Sequence, residues 1–529
     1  MGADPVLALL PSLPRWVIEV GFAGYVLVVT GLVVLERRRP TATLALVLAL
    51  VFLPVVGLVA YLVFSRRVRR RIGRRARRPI NPVEDTRQVA NLDELPADLP
   101  APTRGLVCLA LKSAAAPLRR SEQVNLLATA ATAFSAFADA IASAQRTIHC
   151  EFYIWRDDPT GRRITALLTE RAQAGVTVRV LVDHLGSLGL PRAHFDALRK
   201  AGGHVATFGR PRLPVGRLRR RWLNSRNHRK ILTVDCQWGF LGGLNIGDEY
   251  LDPEGDQTRW RDLGVELHGD AVVGLEAIFL EDWLASTAQI LDLEGEPASI
   301  SGRFDPRRPL PRDRPWGRRR ARVARARAER VSPFAPRPNV PMESGGPLVQ
   351  VVPSGPDLPV VSVIAAQMSA AIASATRRAW LATPYFIPDE PLMFTLRTAA
   401  LRGVDLRVLV PAPEHNDVRL VSWAACSYYD ELLAAGGRIF EYQRGMLHAK
   451  YLIADDICAI GSANMDVRSF HLNYEVTGMF YDPPFTVKLA ELFEQDLLHA
   501  REVTVEDRRD PPLRERLAES FARVLSPLL

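Results

Sequence analysis

The sequence predicts a duplicated α/β protein. Two similar domains, each a sheet flanked by helices, form one pseudo-twofold site and follow a transmembrane helical hairpin. Three observations predict this. The pattern H-x-K-x-x-x-x-D occurs twice, as His228-Arg229-Lys230 with Asp235 and as His448-Ala449-Lys450 with Asp455. A strand–helix–strand order precedes each copy, and the N-terminal region holds two long apolar stretches.

The apolar stretches come first. Trp16–Leu35 carries only Glu19 as a charge, and Thr41–Phe64 carries none. At a rise of about 1.5 Å per residue, either can cross a hydrocarbon layer of about 30 Å. The short link Glu36–Pro40 makes the pair an antiparallel hairpin. A cleavable signal peptide and a hairpin buried in a soluble core are the alternatives; two full spans without a small-residue cleavage site argue against the first. Nine arginines between Arg66 and Arg78 outnumber the three in the link. The excess of positive charge predicts that everything after Phe64 is cytoplasmic, with this cluster against anionic headgroups.

The expected organisation is a membrane hairpin with a basic flank over 1–78, a linker over 79–118, a first domain over 119–300, an Arg/Pro-rich linker over 301–345 and a second domain over 346–529. In the first half, Arg146–Ile154 reads as a strand, Arg163–Ala174 as a helix and Val176–Val182 as a buried strand. Arg378–Phe386, Pro391–Arg402 and Val404–Val410 repeat that order. The junctions Gly175 and Gly403 correspond, as do the glycine pairs Gly202-Gly203 and Gly436-Gly437. Between the halves, thirteen arginines lie from Arg303 to Arg337 among prolines, without apolar periodicity, which reads as a disordered linker. Arg217–Arg221 is a basic run shortly before His228, either a solvated face or a guide for anionic substrate.

The net charge of +10 predicts anionic partners. Five scattered cysteines without C-x-x-C spacing fit a reducing compartment and argue against a structural zinc site. Two of only five lysines fall in the duplicated motif, so those positions require an ammonium where the rest of the chain uses guanidinium.

Imidazole acts as nucleophile or proton shuttle near neutral pH. On a strand, residues i and i+2 face one side, so His and Lys project together. Two such pairs meeting at a pseudo-twofold supply a nucleophile on one side of phosphorus and a proton donor on the other. Lysines and the amides of Asn245 and Asn464 would then hold the equatorial oxygens. No metal or other cofactor is expected. Asp235 and Asp455 count with the catalytic motif, but a strand's alternation turns them off the His–Lys face, where they read as structural turn caps. Asp262 and Glu475 follow the two histidines at comparable distances and are the candidates for fixing the imidazole tautomers.

These residues resemble the phospholipase D superfamily and, within it, the bacterial cardiolipin synthases. The likeness covers nearly the whole chain. It runs through Phe52–Gly57, Phe152–Trp155, Asn227–Ile231, Gly242–Tyr250 and Trp260–Asp262, then Pro353–Asp357, Thr383–Pro388 and Gly461–Phe470. The Arg/Pro insertion after Ser301 departs from it. The resemblance implies a phosphatidyl transfer between two phosphatidylglycerol molecules, giving cardiolipin and glycerol through a phosphatidyl-histidine. It implies His228 as nucleophile and His448 as acid and base. Lys230, Lys450, Asn245, Asn464 and Ser462 would hold phosphate, and Asp262 and Glu475 would orient His228 and His448 respectively. It further implies a multi-pass protein of the bacterial inner membrane, with phosphatidylglycerol and anionic lipids as partners and no nucleic acid. The rival readings are a phospholipase D hydrolase, a transferase using another alcohol, and a catalytically silent scaffold that binds anionic lipid. A nuclease gains nothing from a membrane hairpin.

Overall fold

The computed structural model describes residues 14–34, 40–52, 95–96, 99–209, 225–251, 259–287, 289, 291, 346–356, 358 and 362–526. The basic cluster 66–78, the run 217–221 and the Arg/Pro-rich stretch 301–345 lie outside these. The chain divides into two compact units, and the described parts of these are residues 14–52 and 95–526.

In the first unit, the helices Arg15–Val34 and Pro40–Phe52 share a small core of Val33, Leu46 and Leu50. Among the described residues no helix is long and apolar enough to cross a membrane. Arg15 and Glu19 leave Val20–Val34 as the charge-free part of the first helix, roughly 22 Å, and the second helix is roughly 20 Å. Residues 53–64 of the expected second span lie outside the described residues.

The second unit holds both α/β halves. The first half carries a seven-stranded sheet. From edge to edge it runs Val124–Leu127, Gly264–His268, Trp238–Gly242, Ile231–Val234, Thr147–Phe152, Thr177–Asp183 and His204–Phe208. The second half repeats this arrangement as Leu348–Ser354, Glu475–Tyr481, Ile457–Gly461, Tyr451–Ala454, Arg378–Ala382, Asp405–Pro411 and Arg438–Tyr442. Arg119–Arg120 and Ala500–Val503 extend its two edges to nine strands. Thr147–Phe152 and Thr177–Asp183 run parallel, as do Arg378–Ala382 and Asp405–Pro411, each pair joined by a helix. Those helices start on Asp158 and Asp389, whose carboxylates cap Gly161 and Leu392 N–H groups with Pro in the first turn. Gly175 and Gly403 end them with φ of +91° and +84°, a conformation that a side chain disfavours.

Each sheet buries its outer face under its own helices, against Ile148, Val180 and Leu232 in the first half and Leu381, Val408 and Leu452 in the second. The inner faces pack on each other. Ile231, Leu241 and Val265 of one sheet share a core with Val351, Leu409, Tyr451 and Ile460 of the other. The 79–118 segment expected as linker is corrected over its C-terminal part. Residues 101–114 are a helix whose Leu106 and Ala110 pack in the second half's core, and Arg119–Arg120 pairs with Val349 and Leu348. The start of the first domain is thus stitched to the sheet of the second.

Candidate active site

Both histidines precede a central strand of their sheet, Ile231–Val234 or Tyr451–Ala454, and both are anchored by the opposite half. His228 N–H donates to Tyr474 O at 2.9 Å, and His448 N–H to Arg261 O at 2.7 Å. A short parallel ladder, Met446–Leu447 on Trp260–Arg261, and a bridge between Asn227 and Tyr474 reinforce the exchange. The face-to-face packing of the sheets therefore brings the two motifs to one centre.

The carboxylates are exchanged between halves. His228 Nδ1 lies 3.1 Å from both Glu475 oxygens, and His448 Nδ1 lies 2.6 Å from Asp262 Oδ2. The expected pairing of Asp262 with His228 and of Glu475 with His448 is corrected. Glu475 begins the strand Glu475–Tyr481 and Asp262 directly follows Trp260–Arg261, both against the other half's motif, and proximity in sequence does not carry across that interface. Each imidazole has Nδ1 committed to a carboxylate, leaving Nε2 for chemistry.

Burial, and then the neighbouring Lys450, push the His448 imidazole down to about 3 against the pull of Asp262. Burial lowers His228 also, opposed by Glu475. Asp262 and Glu475 are held below the usual carboxylate range: burial raises each, but Lys450 and His448 for the first, and His228 and Lys230 for the second, outweigh it. Each dyad is a neutral imidazole on an ionised carboxylate. The lysines are fully buried as well. Lys230 donates to His228 O at 2.7 Å and lies 5.6 Å over the Tyr153 ring, and burial lowers it to about 7. Lys450 donates to His448 O, lies 3.7 Å from Asp262 and is lowered to about 8. Lys450 lowers the pKa of Lys230, and each lysine lowers the imidazole of the opposite motif. Two buried lysines, both lowered chiefly by burial, make a centre whose charged form an arriving anion would stabilise.

Ser462, expected on phosphate, donates instead to Glu475 Oε2 at 2.5 Å and accepts from Val476 N at 3.0 Å, fixing the His228 carboxylate. Its counterpart Gly243 meets the same need differently. A Cβ there would fall 2.3 Å from Asp262 Oδ1, so only glycine leaves room for the carboxylate of the His448 dyad. Asn245 is corrected too. Its Oδ1 accepts from Ile154 N at 3.0 Å and its Nδ2 donates to Tyr250 OH at 2.8 Å, so the amide ties down its own half's loop. Asn464 is buried, its side chain bonded to Asp466, and its Oδ1 has no partner among the described residues.

Asp235 and Asp455 stand apart from this centre, and their inclusion with the catalytic motif is corrected. Both adopt positive φ, 53° and 52°, just beyond their strands. Asp235 accepts from the N–H groups of Gln145, Arg146 and Thr147, and Asp455 from those of Thr376, Arg377 and Arg378. Each clamps the start of the adjacent strand. The motif thus ends in a turn just past its strand.

Three aromatic residues at the centre escaped the residue-by-residue reading. Tyr153 packs edge-on to His228 at 4.9 Å, Trp260 lies 4.6 Å from the His448 ring, and Tyr250 lies 6.0 Å from it. Their signal was adjacency to strand ends and to Asp262, which period alone does not flag. Among the described residues no His/Cys/Asp/Glu group is arranged to hold a metal ion.

Two α/β halves that exchange carboxylates to build one paired His–Lys centre define a phosphotransfer enzyme of the phospholipase D type. Residues 137–283 and 368–497 match the family described as cardiolipin synthase, PLD-like domain, and residues 25–66 match one described as phospholipase D-nuclease N-terminal. The chain belongs to the cardiolipin synthase family. It is 36% identical over 502 residues to the cardiolipin synthase of Geobacillus thermodenitrificans, covering 94% of this chain and 90% of that one. It is 34% identical over 526 residues to that of Alkalihalophilus pseudofirmus, covering 98% and 95%. Among solved structures, the phosphatidylserine synthase of Haemophilus influenzae superposes with a TM-score of 0.56 at 15% identity, over 85% of this chain and 100% of that one, a likeness of fold.

Proposed function

We propose that the chain transfers a phosphatidyl group from one phosphatidylglycerol to the hydroxyl of another, giving cardiolipin and glycerol. The observation that carries the reading is the crossed pair of dyads around two buried lysines. In the first step, His228 Nε2 attacks phosphorus and the bond from phosphorus to the glycerol oxygen breaks. His448, protonated once substrate is bound, gives its proton to that oxygen. In the second, the acceptor's hydroxyl loses its proton to His448, its oxygen attacks phosphorus and the N–P bond breaks. Lys230, Lys450 and Asn464 hold the phosphate oxygens. The arriving phosphodiester offsets the Lys450 charge that depresses His448, and Asp262 then stabilises the imidazolium.

Assigning the nucleophile to His228 follows the resemblance, since the two dyads are near-equivalent. Trapping the covalent lipid adduct and mapping its histidine tests the order, with an adduct on His448 reversing it. Labelled phosphatidylglycerol tests the reaction: cardiolipin and glycerol are expected, and phosphatidic acid as the main product would establish hydrolysis instead.

Membrane attachment through residues 16–64, with the α/β halves on the cytoplasmic face of a bacterial inner membrane, belongs to the same proposal. It is supported by the hydropathy of that segment, the arginine excess that follows it and the family match over 25–66. Carbonate-resistant membrane association, lost on deleting residues 1–64, is the expected result; a chain that washes off the membrane would overturn it.

A further inference from the structure

The turn that follows strand Thr177–Asp183 is rigid, lies beside the nucleophile and carries two exposed leucines. Asp183 Oδ1 accepts from Leu185 N at 2.8 Å and Gly186 N at 3.1 Å, while Ser187 N donates to Asp183 O at 3.1 Å. Ser187 Oγ donates to Tyr153 O at 3.1 Å and accepts from Trp155 N at 3.0 Å. Gly186 seats the turn directly on Tyr153, whose carbonyl oxygen would lie 2.2 Å from any Cβ added there. Tyr153 in turn packs on the His228 ring at 4.9 Å.

The same carboxylate reaches the catalytic motif. Asp183 Oδ2 accepts from the N–H of Asn227, the residue before His228, at 3.0 Å. One buried Asp thus holds both the turn and the approach to the nucleophile. Leu190 closes the turn by packing against the first half's core, but Leu185 and Leu188 remain 48% and 65% exposed.

The fold does not require those leucines. The corresponding segment of the second half follows Asp405–Pro411, and His184 N and Ala412 N make equivalent bonds to Phe208 O and Tyr442 O. There Pro413 stands in the place of Leu185 and Asn416 in that of Leu188, within a largely polar turn that runs on to the 39% exposed Val418. Exposed leucines occur elsewhere on the protein, but this pair shares one hydrogen-bonded turn seated on Tyr153, beside the site.

We propose that Leu185 and Leu188 form a lip that dips into the acyl layer of the bilayer, setting His228 at the depth of a lipid phosphate. The proposal rests on the reading of the site as a phosphatidyl-transfer centre. A lipid phosphorus comes within reach of His228 only if the mouth of the site meets the membrane surface. A leucine pair joined to that mouth through Tyr153 and Asp183 fits hydrocarbon immediately beneath the headgroups.

The test uses the full chain reconstituted in phosphatidylglycerol liposomes. A polarity-sensitive dye on Leu188→Cys is expected to be quenched by lipids brominated in the acyl chain. The same dye on Leu401→Cys is not. Leu401 is 70% exposed at the end of helix Glu390–Leu401, which feeds the opposite end of its sheet. Wild-type chain treated identically supplies the background, since four of the five cysteines are buried. The double variant Leu185→Gln/Leu188→Gln is expected to lose about tenfold in kcat/KM on liposomal phosphatidylglycerol, from lost apolar contact. It should keep wild-type kcat/KM on monomeric dihexanoyl phosphatidylglycerol. An unquenched label at 188, or equal loss on both substrates, overturns the lip. Absence of transfer by the wild-type chain on either substrate would count against the catalytic reading, while quenching still decides the lip.

Discussion

His448 and Asp262 stand 186 residues apart in the chain and meet with Nδ1 2.6 Å from Oδ2. The contact joins the two halves at the reacting centre, so neither motif histidine takes its carboxylate from its own half. The His228–Glu475 pair completes the exchange. The consequence is that each half supplies its imidazole to one dyad and its carboxylate to the other.

Asp262→Asn is expected to impair the proton transfers of His448, and Glu475→Gln the attack by His228. Each should cost on the order of 10³-fold in turnover on phosphatidylglycerol. A phosphatidyl ester of p-nitrophenol separates them, because its leaving group departs without a proton. Asp262→Asn should keep a nitrophenolate burst on that ester and Glu475→Gln should lose it. The opposite result would mean that His448 is the nucleophile.

Gly243→Ala is expected to mimic Asp262→Asn. The added methyl would meet both Asp262 oxygens, at 2.3 and 2.4 Å, and must push the carboxylate off His448. Turnover on phosphatidylglycerol should fall by a comparable factor while the nitrophenyl ester burst persists. Wild-type turnover would show that the dyad tolerates displacement.

The buried lysines make binding depend on protons. Lys230 is lowered to about 7 and Lys450 to about 8, so the folded protein holds fewer protons than the unfolded chain from there up to the ordinary lysine range near 10.4. Unfolding takes up protons across that window, and the contribution of these groups to stability therefore rises with pH through it. An anion bound between them raises both values. Sulfate, which does not titrate here, should therefore bind with proton uptake between about pH 7 and 9. Calorimetry in buffers of different ionisation heat measures this directly. Binding without proton uptake would mean that both lysines are already charged in the free protein.

Much of this was legible in the sequence because strands and helices carry their period locally. Buried runs such as Val176–Val182 and Val404–Val410 named their strands within a residue or so. Strand alternation also turned Asp235 and Asp455 away from the histidines in advance. The partner of each carboxylate was not legible, because it is set by how two sheets pack, and the order Asp262 after His228 points to the wrong imidazole. Asn245 and Ser462 misled for a related reason: a buried amide or hydroxyl is claimed by whichever polar group lies nearest in space. The helix Ala101–Ala114 was hidden by the prolines before it, although Leu106, Val107, Ala110 and Leu111 already mark one face.

Asp455→Ala is expected to destabilise the protein without silencing it. The carboxylate satisfies the N–H groups of Thr376, Arg377 and Arg378, and its residue holds φ at +52°, where alanine is strained. Loss of those bonds should lower unfolding free energy by about 2–3 kcal/mol. Chemical denaturation should show that loss, while turnover per folded molecule stays near wild type. A collapse of turnover with unchanged stability would return Asp455 to the catalytic motif.

Next to the His228 segment lies a buried pair of acids, Glu151 and Asp282. Asn227 Nδ2 bonds Glu151 Oε1 and lies 3.3 Å from Asp282 Oδ2, while the Arg229 guanidinium bonds Asp282 and donates through Nε to Glu475 O at 3.2 Å. Burial, and then Asp282, hold the Glu151 carboxyl well above its usual range, which favours its neutral form, and the Arg229 guanidinium pairs with Asp282. Glu151→Gln replaces a neutral acid by a neutral amide of the same shape and should change stability by less than about 1 kcal/mol. Asp282→Asn strands the buried guanidinium and should cost about 3–5 kcal/mol, with loss of turnover as the Asn227–Arg229 segment shifts. Denaturant midpoints of the two variants decide the matter, and the infrared carbonyl band of a protonated acid should vanish in Glu151→Gln alone. Equal destabilisation by both would mean that both acids are ionised and share the one guanidinium.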